Sequence, residues 1–420
     1  MSFITPEMLC EKASIQSKCL EKLLYKENAN SINQENTKIN LQSLPHDIHE
    51  KIVEHYKMSL PSKYILRDWI PKDKLNWFAL SGNPCAIETL MEQADYENSL
   101  TEEEYNMLED KKKISWMRLC INEEGAKILK KYPTKVKWNY FSNNSNQLAV
   151  DMIKERIEYE KNNVPDYYYD DYDNRVSINN FSNNQNSEIM ELVKERIEYE
   201  KGLSDEDYNL LDYKDVLDWE YLSANPSAID ILKANPTKIV WSLLSENTNP
   251  LAIDLLRERA VLENNMSKKD YKNLVNKINW SYLSSNPNAI ELLIKYPRKI
   301  VWENLSANPA AIYFLEENIN EINWWMLSEN PAAIELLKKN REMINWYVLC
   351  KNPNAIELLK KNRKKIIWRI LCQNENAIEL IKEQVEYEAS LTPEEYDNYS
   401  VWNKLDWDIL SNNKSIFMAV

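Results

Sequence analysis

Residues 322–361 read INWWMLSENPAAIELLKKNREMINWYVLCKNPNAIELLKK, a 22-residue unit followed by a near copy of itself. Trp324 recurs as Trp346, and Asn330 with its following proline recurs as Asn352 with another proline. A fixed period of about 20 to 50 residues is typical of stacked-repeat proteins. Each repeat of such a protein buries its apolar face against its neighbours, so this period predicts the architecture of the chain.

The same pattern extends outward from this stretch and covers Leu75–Val420 in twelve units. Each unit has an aliphatic residue two positions before a Trp, a Leu or Phe three positions after it, and then a Ser or Cys. An Asn follows six positions after the Trp. The recurring aromatic position is occupied by Trp77, Trp116, Trp138, Ile178 in place of Trp, Trp219, Trp241, Trp280, Trp302, Trp324, Trp346, Trp368 and Trp407.

These positions predict a pair of short helices in every unit. The aliphatic residue, the Trp and the Leu are expected in a first helix with its apolar side, including the Trp, in the core. The Asn is a strong N-cap, and a proline often follows where a helix tolerates it. Ala-Ile-x-Leu-Leu then supplies the second helix. We therefore predict an all-α fold, an α-solenoid of about twelve short helical-hairpin repeats, occupying residues 75–420.

Several units carry an insertion after the second helix, because the Trp spacing rises there from 22 to between 39 and 41 residues. Most insertions contain a Ser or Thr with an acidic residue three positions later, which predicts an extra capped helix. The capping pairs are Thr101/Glu104, Ser204/Asp207, Ser267/Asp270 and Thr392/Glu395. The acidic, Tyr-rich insertion at Val164–Asn174 is expected to be mobile instead.

Residues 1–74 are predicted to form an N-terminal helical cap on the array. Within it, residues 44–56 resemble the first helix of an F-box, which begins with Leu44 and Pro45 and continues through Ile48 and Ile52. The resemblance implies docking on the adaptor of a ubiquitin ligase. A capped amphipathic helix that closes the end of the array is the alternative explanation.

Composition excludes several classes of function. The three glycines are widely separated, so no glycine-rich phosphate loop or dinucleotide motif is present. A net charge of −14 disfavours nonspecific nucleic-acid or anionic-membrane binding. The chain has no signal-peptide or transmembrane pattern, and its six cysteines lack a disulfide-like spacing, which favours an intracellular location.

No catalytic constellation emerges from the sequence. The three histidines, His46, His49 and His55, all fall in the N-terminal region, and their helical spacing disfavours a shared zinc site. The recurring Ser, replaced by Cys in three units, is expected to be a small residue required by helix packing. We therefore predict a protein that is not an enzyme and that has no cofactor and no metal.

A basic ridge is predicted where Lys and Arg recur in one register near the ends of successive second helices. Its candidate partner-binding residues are Lys338, Lys339, Arg341, Lys360, Lys361, Arg363, Lys364 and Lys365. Cations at helix C-termini are favourable in themselves and explain most of this pattern. Binding of an acidic protein partner is the functional alternative, and an RNA partner is disfavoured by the net charge.

The recurring motif WxxLSxNPxAIxLLxxNPxKI resembles short tandem repeats in proteins of nucleocytoplasmic large DNA viruses, the mimivirus-like giant viruses. The resemblance covers Leu75–Val420 and implies a repeat fold in the host cytoplasm or the virus particle, with little implied about activity. We expect a protein–protein interaction scaffold, with a ubiquitin-ligase substrate receptor and a virus-particle component as alternatives. The last unit has a truncated second helix, which predicts a C-terminal cap or an end that docks on something.

Overall fold

The computed structural model describes residues 63–163 and 174–420. The chain divides into a unit at residues 1–63 and a second, compact unit at Tyr64–Val420. The F-box-like helix at residues 44–56 lies outside the described residues, as does nearly all of the insertion at residues 164–174. Residues 64–74, assigned from the sequence to the N-terminal cap, belong to the second unit together with the repeats.

The predicted all-α repeat architecture is confirmed. In the described residues, twelve first helices begin at the recurring aromatic position or at Ile178, and eleven second helices follow them. The first helices are Trp77–Leu80, Trp116–Ile121, Trp138–Phe141, Ile178–Phe181, Trp219–Ala224, Trp241–Leu244, Trp280–Ser285, Trp302–Ala307, Trp324–Glu329, Trp346–Leu349, Trp368–Leu371 and Trp407–Asn412. The second helices are Ile87–Ser99, Ala126–Lys131, Gln147–Asn163, Ser187–Lys201, Ile229–Ala234, Pro250–Asn264, Ile290–Lys295, Ile312–Glu317, Ile334–Lys339, Ile356–Lys361 and Ile378–Ser390.

The predicted insertion helices are present at all four capping pairs. Their bounds are Glu102–Met107, Asp205–Asn209, Lys268–Asn273 and Pro393–Asn398. Thr101 and Thr392 form complete capping boxes. In each box the threonine hydroxyl accepts a hydrogen bond from the backbone N–H of the Glu three residues later, and the carboxylate of that Glu accepts one from the backbone N–H of the threonine. Ser204 and Ser267 supply the hydroxyl half of the same arrangement. Two orphan donors are satisfied at each complete box, so these short helices begin where the sequence places them.

The first helix is shorter than expected, because the aliphatic residue two positions before the Trp lies outside it. In the ninth unit Ile322 is buried, but the helix begins only at Trp324. Asn323 between them has extended backbone angles, and its side chain accepts a hydrogen bond from the Met326 N–H. A capping residue at this position ends the extended segment and starts the helix. The aliphatic residue therefore packs into the core from an extended approach.

The recurring tryptophans lie at the margin of the core and are less buried than predicted. Trp368 is 7% exposed, whereas the other ten Trp residues of this position are half-buried and pack against the buried aliphatic residues. The centre of each unit is filled by the Leu or Phe that follows, such as Leu327 and Phe141, each 0% exposed. An indole is large and carries a polar N–H, so the position nearest the solvent suits it better than the middle.

Successive units are joined by the recurring Asn, which in most units caps a short 3₁₀ turn ahead of the second helix and not the helix itself. In the fourth and sixth units Asn186 and Asn249 cap the second helix in its place. The Nδ2 group of Asn330 donates to the carbonyl oxygens of Ser306 and Asn308 in the preceding unit, at 3.0 Å each. Its Oδ1 accepts from the Ala332 N–H of its own unit at 3.0 Å. Asn330 is 1% exposed. One buried amide therefore satisfies backbone groups of two neighbouring units at once.

Every unit in the described residues repeats this link to the unit before it, through one or both carbonyl oxygens. The twelve asparagines are Asn83, Asn122, Asn144, Asn184, Asn225, Asn247, Asn286, Asn308, Asn330, Asn352, Asn374 and Asn413. A second set of links runs through the recurring Ser. The Ser306 hydroxyl donates to the Trp302 carbonyl oxygen and accepts from the Asn323 N–H of the next unit.

These links also join the last unit to the first, so the array closes on itself. The Nδ2 group of Asn83 donates to the carbonyl oxygens of Ser411 and Asn413, at 3.2 Å each. The Ser411 hydroxyl accepts from the Asn76 N–H at 2.9 Å. These are the contacts that every other unit makes with its predecessor. The first unit therefore takes the twelfth as its predecessor, and the twelve units form a ring.

A two-stranded sheet reinforces this junction. Strand β1 (Tyr64–Leu66) pairs antiparallel with strand β2 (Phe417–Ala419), with Ile65 opposite Met418. Arg67 adds hydrogen bonds from its backbone N–H to the Ile416 carbonyl oxygen and from its Nε to the Ser415 carbonyl oxygen. The sequence predicted that the truncated twelfth unit either caps the array or docks on another element. In the structure this unit docks on the first unit.

The spacing of neighbouring units differs along the ring. From Trp280 to Lys361, neighbouring first helices approach one another more closely than neighbouring second helices do. Between the first two units, where an insertion intervenes, the second helices Ile87–Ser99 and Ala126–Lys131 are the closer pair. The insertion turn Asp110–Lys112 packs there against the first helix Trp77–Leu80.

Candidate partner-binding surface

The predicted basic ridge lies at the exposed ends of second helices and in the turns that follow them, and half of its members are already ion-paired. Lys338 pairs with Glu335 at 2.7 Å and Lys339 with Glu316 at 3.1 Å. Lys360 pairs with Glu357 at 3.0 Å, and Arg363 with Glu383 at 2.6 Å. These pairs are solvent-exposed and contribute little to stability. They do lower the net positive charge that the ridge offers to an acidic partner.

The other four basic residues of the ridge are exposed, and no ion pair joins them within the part of the chain that the structure describes. They are Arg341, Lys361, Lys364 and Lys365. Arg341, Lys364 and Lys365 lie in the short 3₁₀ turns after the second helices, and Lys361 is the last residue of its helix. The four F-box-like candidates, Leu44, Pro45, Ile48 and Ile52, lie outside the described residues.

A stronger feature is a cluster of three aromatic side chains, which we call the aromatic platform: Trp325, Tyr347 and Trp402. The ring centroids of Trp325 and Tyr347 are 6.0 Å apart with planes 28° from parallel. Those of Tyr347 and Trp402 are 6.3 Å apart and meet edge to face at 69°. Trp325 is 49% exposed and Trp402 is 53% exposed. Half-exposed aromatic rings in contact with one another make this cluster a candidate interaction surface.

Two different elements position the platform. Trp325 and Tyr347 occupy the same position in successive units, one residue after the recurring Trp, so stacking of the units places them side by side. Trp402 lies in the 3₁₀ turn Val401–Asn403, which ends the insertion of the eleventh unit and packs against the first helix Trp368–Leu371. The Arg369 guanidinium on that helix lies 5.9 Å from the Trp402 ring centroid.

Arg369 connects the platform to a cavity of about 340 Å³ beside it. The cavity is lined by Arg369, Tyr396, Val401, Lys404, Leu405, Asp406, Trp407 and Asp408. The Arg369 Nε lies 3.0 Å from an Asp406 carboxylate oxygen, and the Lys404 ammonium lies 4.3 Å from the Tyr396 ring centroid. Burial, with the nearby Glu388 and Asp397 carboxylates, raises the pKa of Tyr396.

The charges around the platform and its cavity are balanced within the protein. Arg369 is paired with Asp406, and Lys404 lies over an aromatic ring. The Asp408 carboxylate accepts a hydrogen bond of 2.9 Å from the Asn76 side chain across the ring junction. The indole N–H of Trp407 is buried and has no hydrogen-bond partner among the described residues. The surface therefore offers aromatic faces and hydrogen-bonding groups in a setting of little net charge.

The recurring Ser and Cys column supports packing and hydrogen bonding, as its burial indicates. Burial raises the pKa of the Cys120 and Cys372 thiols to about 12 and that of Cys350 to about 11. A nucleophilic cysteine needs the opposite shift. Cys350 takes the place of Ser in the link to the next unit, since its Sγ accepts from the Ile367 N–H at 3.4 Å.

Among the described residues, no group of three or more His, Cys, Asp or Glu side chains is arranged to hold a metal ion. Likewise, no helix in residues 63–163 and 174–420 is both long and apolar enough to cross a bilayer.

The aromatic platform is not among the surfaces that the repeat pattern predicts. The available signal was that Trp325 and Trp402 fall outside the recurring Trp position, so the repeat core does not account for them. Fold and surface define the class as an all-α repeat protein with a closed array of helical hairpins. In comparisons with protein-family models, curated proteins and solved structures, no match was found.

Proposed function

We propose that this protein is a non-enzymatic scaffold that holds a protein partner at the aromatic platform. The observation that carries the proposal is the exposure of Trp325 and Trp402 within one contiguous aromatic cluster. Tryptophan and tyrosine are enriched among the residues that dominate binding energy at protein interfaces. Exposing about half of two indoles to water is unfavourable, and a partner that covers them removes that penalty.

The proposal is tested by affinity purification from cells that naturally express the protein. The bait is compared with a triple variant, Trp325→Ala, Tyr347→Ala and Trp402→Ala, and with a matched control. The control removes three tyrosines located elsewhere, Tyr221, Tyr282 and Tyr313, of which each is 40–75% exposed. We expect at least one protein to co-purify with the wild type and the control and to be lost with the triple variant. Identical sets of proteins from all three baits would refute the proposal.

The basic ridge is a second candidate surface for an acidic protein partner. Its four residues without an ion pair in the described part of the chain, Arg341, Lys361, Lys364 and Lys365, support this role. Replacing all four by Gln removes four charges without changing the buried part of the helices. A partner bound at the ridge is expected to be lost, and the loss should be mimicked by raising the salt concentration. Retention of every partner by this variant would remove the ridge from consideration.

The resemblance of residues 44–56 to an F-box helix supports a different scaffold role, as the substrate receptor of a ubiquitin ligase. In this alternative the ring binds the substrate and the N-terminal helix binds the ligase adaptor. Pro45→Ala with Ile48→Ala is expected to abolish recovery of the adaptor from host lysate. The viral resemblance supports a further alternative, a component of the virus particle, and mass spectrometry of purified particles tests it. The intracellular location stays a prediction.

A further inference from the structure

We infer that the aromatic platform binds an extended, proline-rich segment in the polyproline II conformation. The inference rests on the proposed scaffold function and names the chemistry of the partner. Polyproline II segments are recognised in grooves lined by aromatic side chains, because proline rings pack on aromatic faces and the ligand is ordered before it binds. Three features of the platform support this partner over others.

The first feature is the spacing of the rings. Trp325, Tyr347 and Trp402 succeed one another at 6.0 and 6.3 Å between centroids. A polyproline II helix rises about 3.1 Å per residue, so two of its residues span nearly the same distance. The three rings extend over at most about 12 Å, which corresponds to roughly four ligand residues. A short proline-rich stretch therefore matches the platform in length.

The second feature is the shape of the platform. Trp325 and Tyr347 lie nearly parallel, and Trp402 stands at 69° to Tyr347. The Tyr347 and Trp402 rings thus form an angled corner, which suits a ridge-shaped ligand better than a flat one.

The third feature is the balance of charge. The Arg369 guanidinium beside Trp402 is paired with Asp406 at 3.0 Å, and the chain as a whole carries a net charge of −14. Single-stranded nucleic acid binds to grooves that combine aromatic rings with excess positive charge, which this surface lacks. A proline-rich segment is uncharged, and its backbone carbonyl groups have no internal hydrogen bonds. Those carbonyl groups can accept from the Arg369 N–H groups and from the exposed indoles.

The test measures direct binding of a fluorescein-labelled decaproline peptide to the full chain by fluorescence anisotropy at physiological salt. A decapeptide of alternating Gly and Ser and a ten-nucleotide oligothymidine serve as comparison probes. The protein variants are Trp325→Ala and Trp402→Ala, with Tyr221→Ala as the matched control because Tyr221 is 49% exposed on another first helix. Circular dichroism confirms that each variant keeps its helix content.

We expect saturable binding of decaproline, a dissociation constant raised at least about tenfold by Trp325→Ala and by Trp402→Ala, and no change for Tyr221→Ala. The Gly-Ser peptide and the oligothymidine should bind at least about tenfold more weakly. Absence of decaproline binding up to a peptide concentration of about 1 mM would overturn the inference. Binding unaffected by either Trp variant, or tighter binding of oligothymidine that the variants abolish, would overturn it as well. Capture of a protein partner in cells combined with failure of decaproline would reject the proline-rich ligand alone.

Discussion

Substitution of Asn83 by Ala tests whether the repeat array is closed. Asn83 is 1% exposed and makes two hydrogen bonds to the twelfth unit, at the Ser411 and Asn413 carbonyl oxygens. It makes a third hydrogen bond within its own unit, from the Cys85 N–H. In an open array only this third bond would exist, because the first unit would have no predecessor. The number of bonds lost therefore depends on closure.

The expected loss of unfolding free energy follows from the number of hydrogen bonds that Asn83→Ala removes. A buried hydrogen bond contributes about 1 kcal/mol net, so in the ring Asn83→Ala should lower the free energy of unfolding by about 3 kcal/mol. In an open array the loss would be that of a helix cap alone, about 1 kcal/mol. Asn330→Ala in the middle of the array is the reference, because Asn330 makes the same three hydrogen bonds in either case.

The assay is equilibrium unfolding in urea, followed by far-ultraviolet circular dichroism, for the wild type and the two variants. Asn320→Ala serves as a control, because Asn320 is exposed in a turn and its loss should change stability by less than about 0.5 kcal/mol. Equal destabilisation by Asn83→Ala and Asn330→Ala is expected. A loss of about 1 kcal/mol for Asn83→Ala beside about 3 kcal/mol for Asn330→Ala would refute the closed ring.

The remaining predictions concern the ring junction, a buried carboxyl group and the thiols. The double variant Ile65→Cys and Met418→Cys should form an intramolecular disulfide on mild oxidation, because the two residues face each other in the strand pair. The disulfide is detected as a mobility shift in non-reducing electrophoresis. Either substitution alone should give no such shift. Burial raises the pKa of Glu388, so the native state of the wild type loses stability as pH rises from the ordinary Glu pKa through this raised value. Glu388→Gln lacks this dependence. Urea unfolding at several pH values should therefore show that the free energy of unfolding of the variant increases relative to that of the wild type as pH rises. A difference in free energy of unfolding that does not change with pH would contradict the raised pKa of Glu388. Cys350 and Cys372 should resist a thiol reagent in the native protein and react fully in urea, because burial raises their pKa values; rapid reaction without urea would show that they are accessible.

Much of the fold could be predicted because its determinants are local. The Ala-Ile-x-Leu-Leu run acts within one unit and forms the second helix as predicted, whereas the recurring Asn caps a short 3₁₀ turn ahead of that helix in most units. The capping pairs of the insertions act over three residues, and all four helices begin at them. The start of the first helix was placed too early, because the capping role of residues such as Asn323 was not recognised.

The candidate surface was harder to predict, because its residues occupy positions where the repeat tolerates many residue types. The position of Trp325 and Tyr347 is occupied by Ser281, Glu303 and Arg369 in other units, so no pattern distinguishes it. The basic ridge did recur in register, yet its pairing with acidic side chains depends on neighbouring helices. The contact of Trp402 with Tyr347 depends on the path of an insertion, which the local signals do not specify.

The sequence by itself determined the hairpin unit and its period, since these depend on local backbone chemistry and apolar spacing. The burial of the recurring Asn and its hydrogen bonds to the preceding unit were visible only in the structure. Only the tertiary structure decided that the array is a ring. A small rotation between neighbouring units accumulates over twelve repeats, and the total rotation cannot be predicted from the sequence of a single unit. Closure brings Asn83 to Ser411 and strand β1 to strand β2.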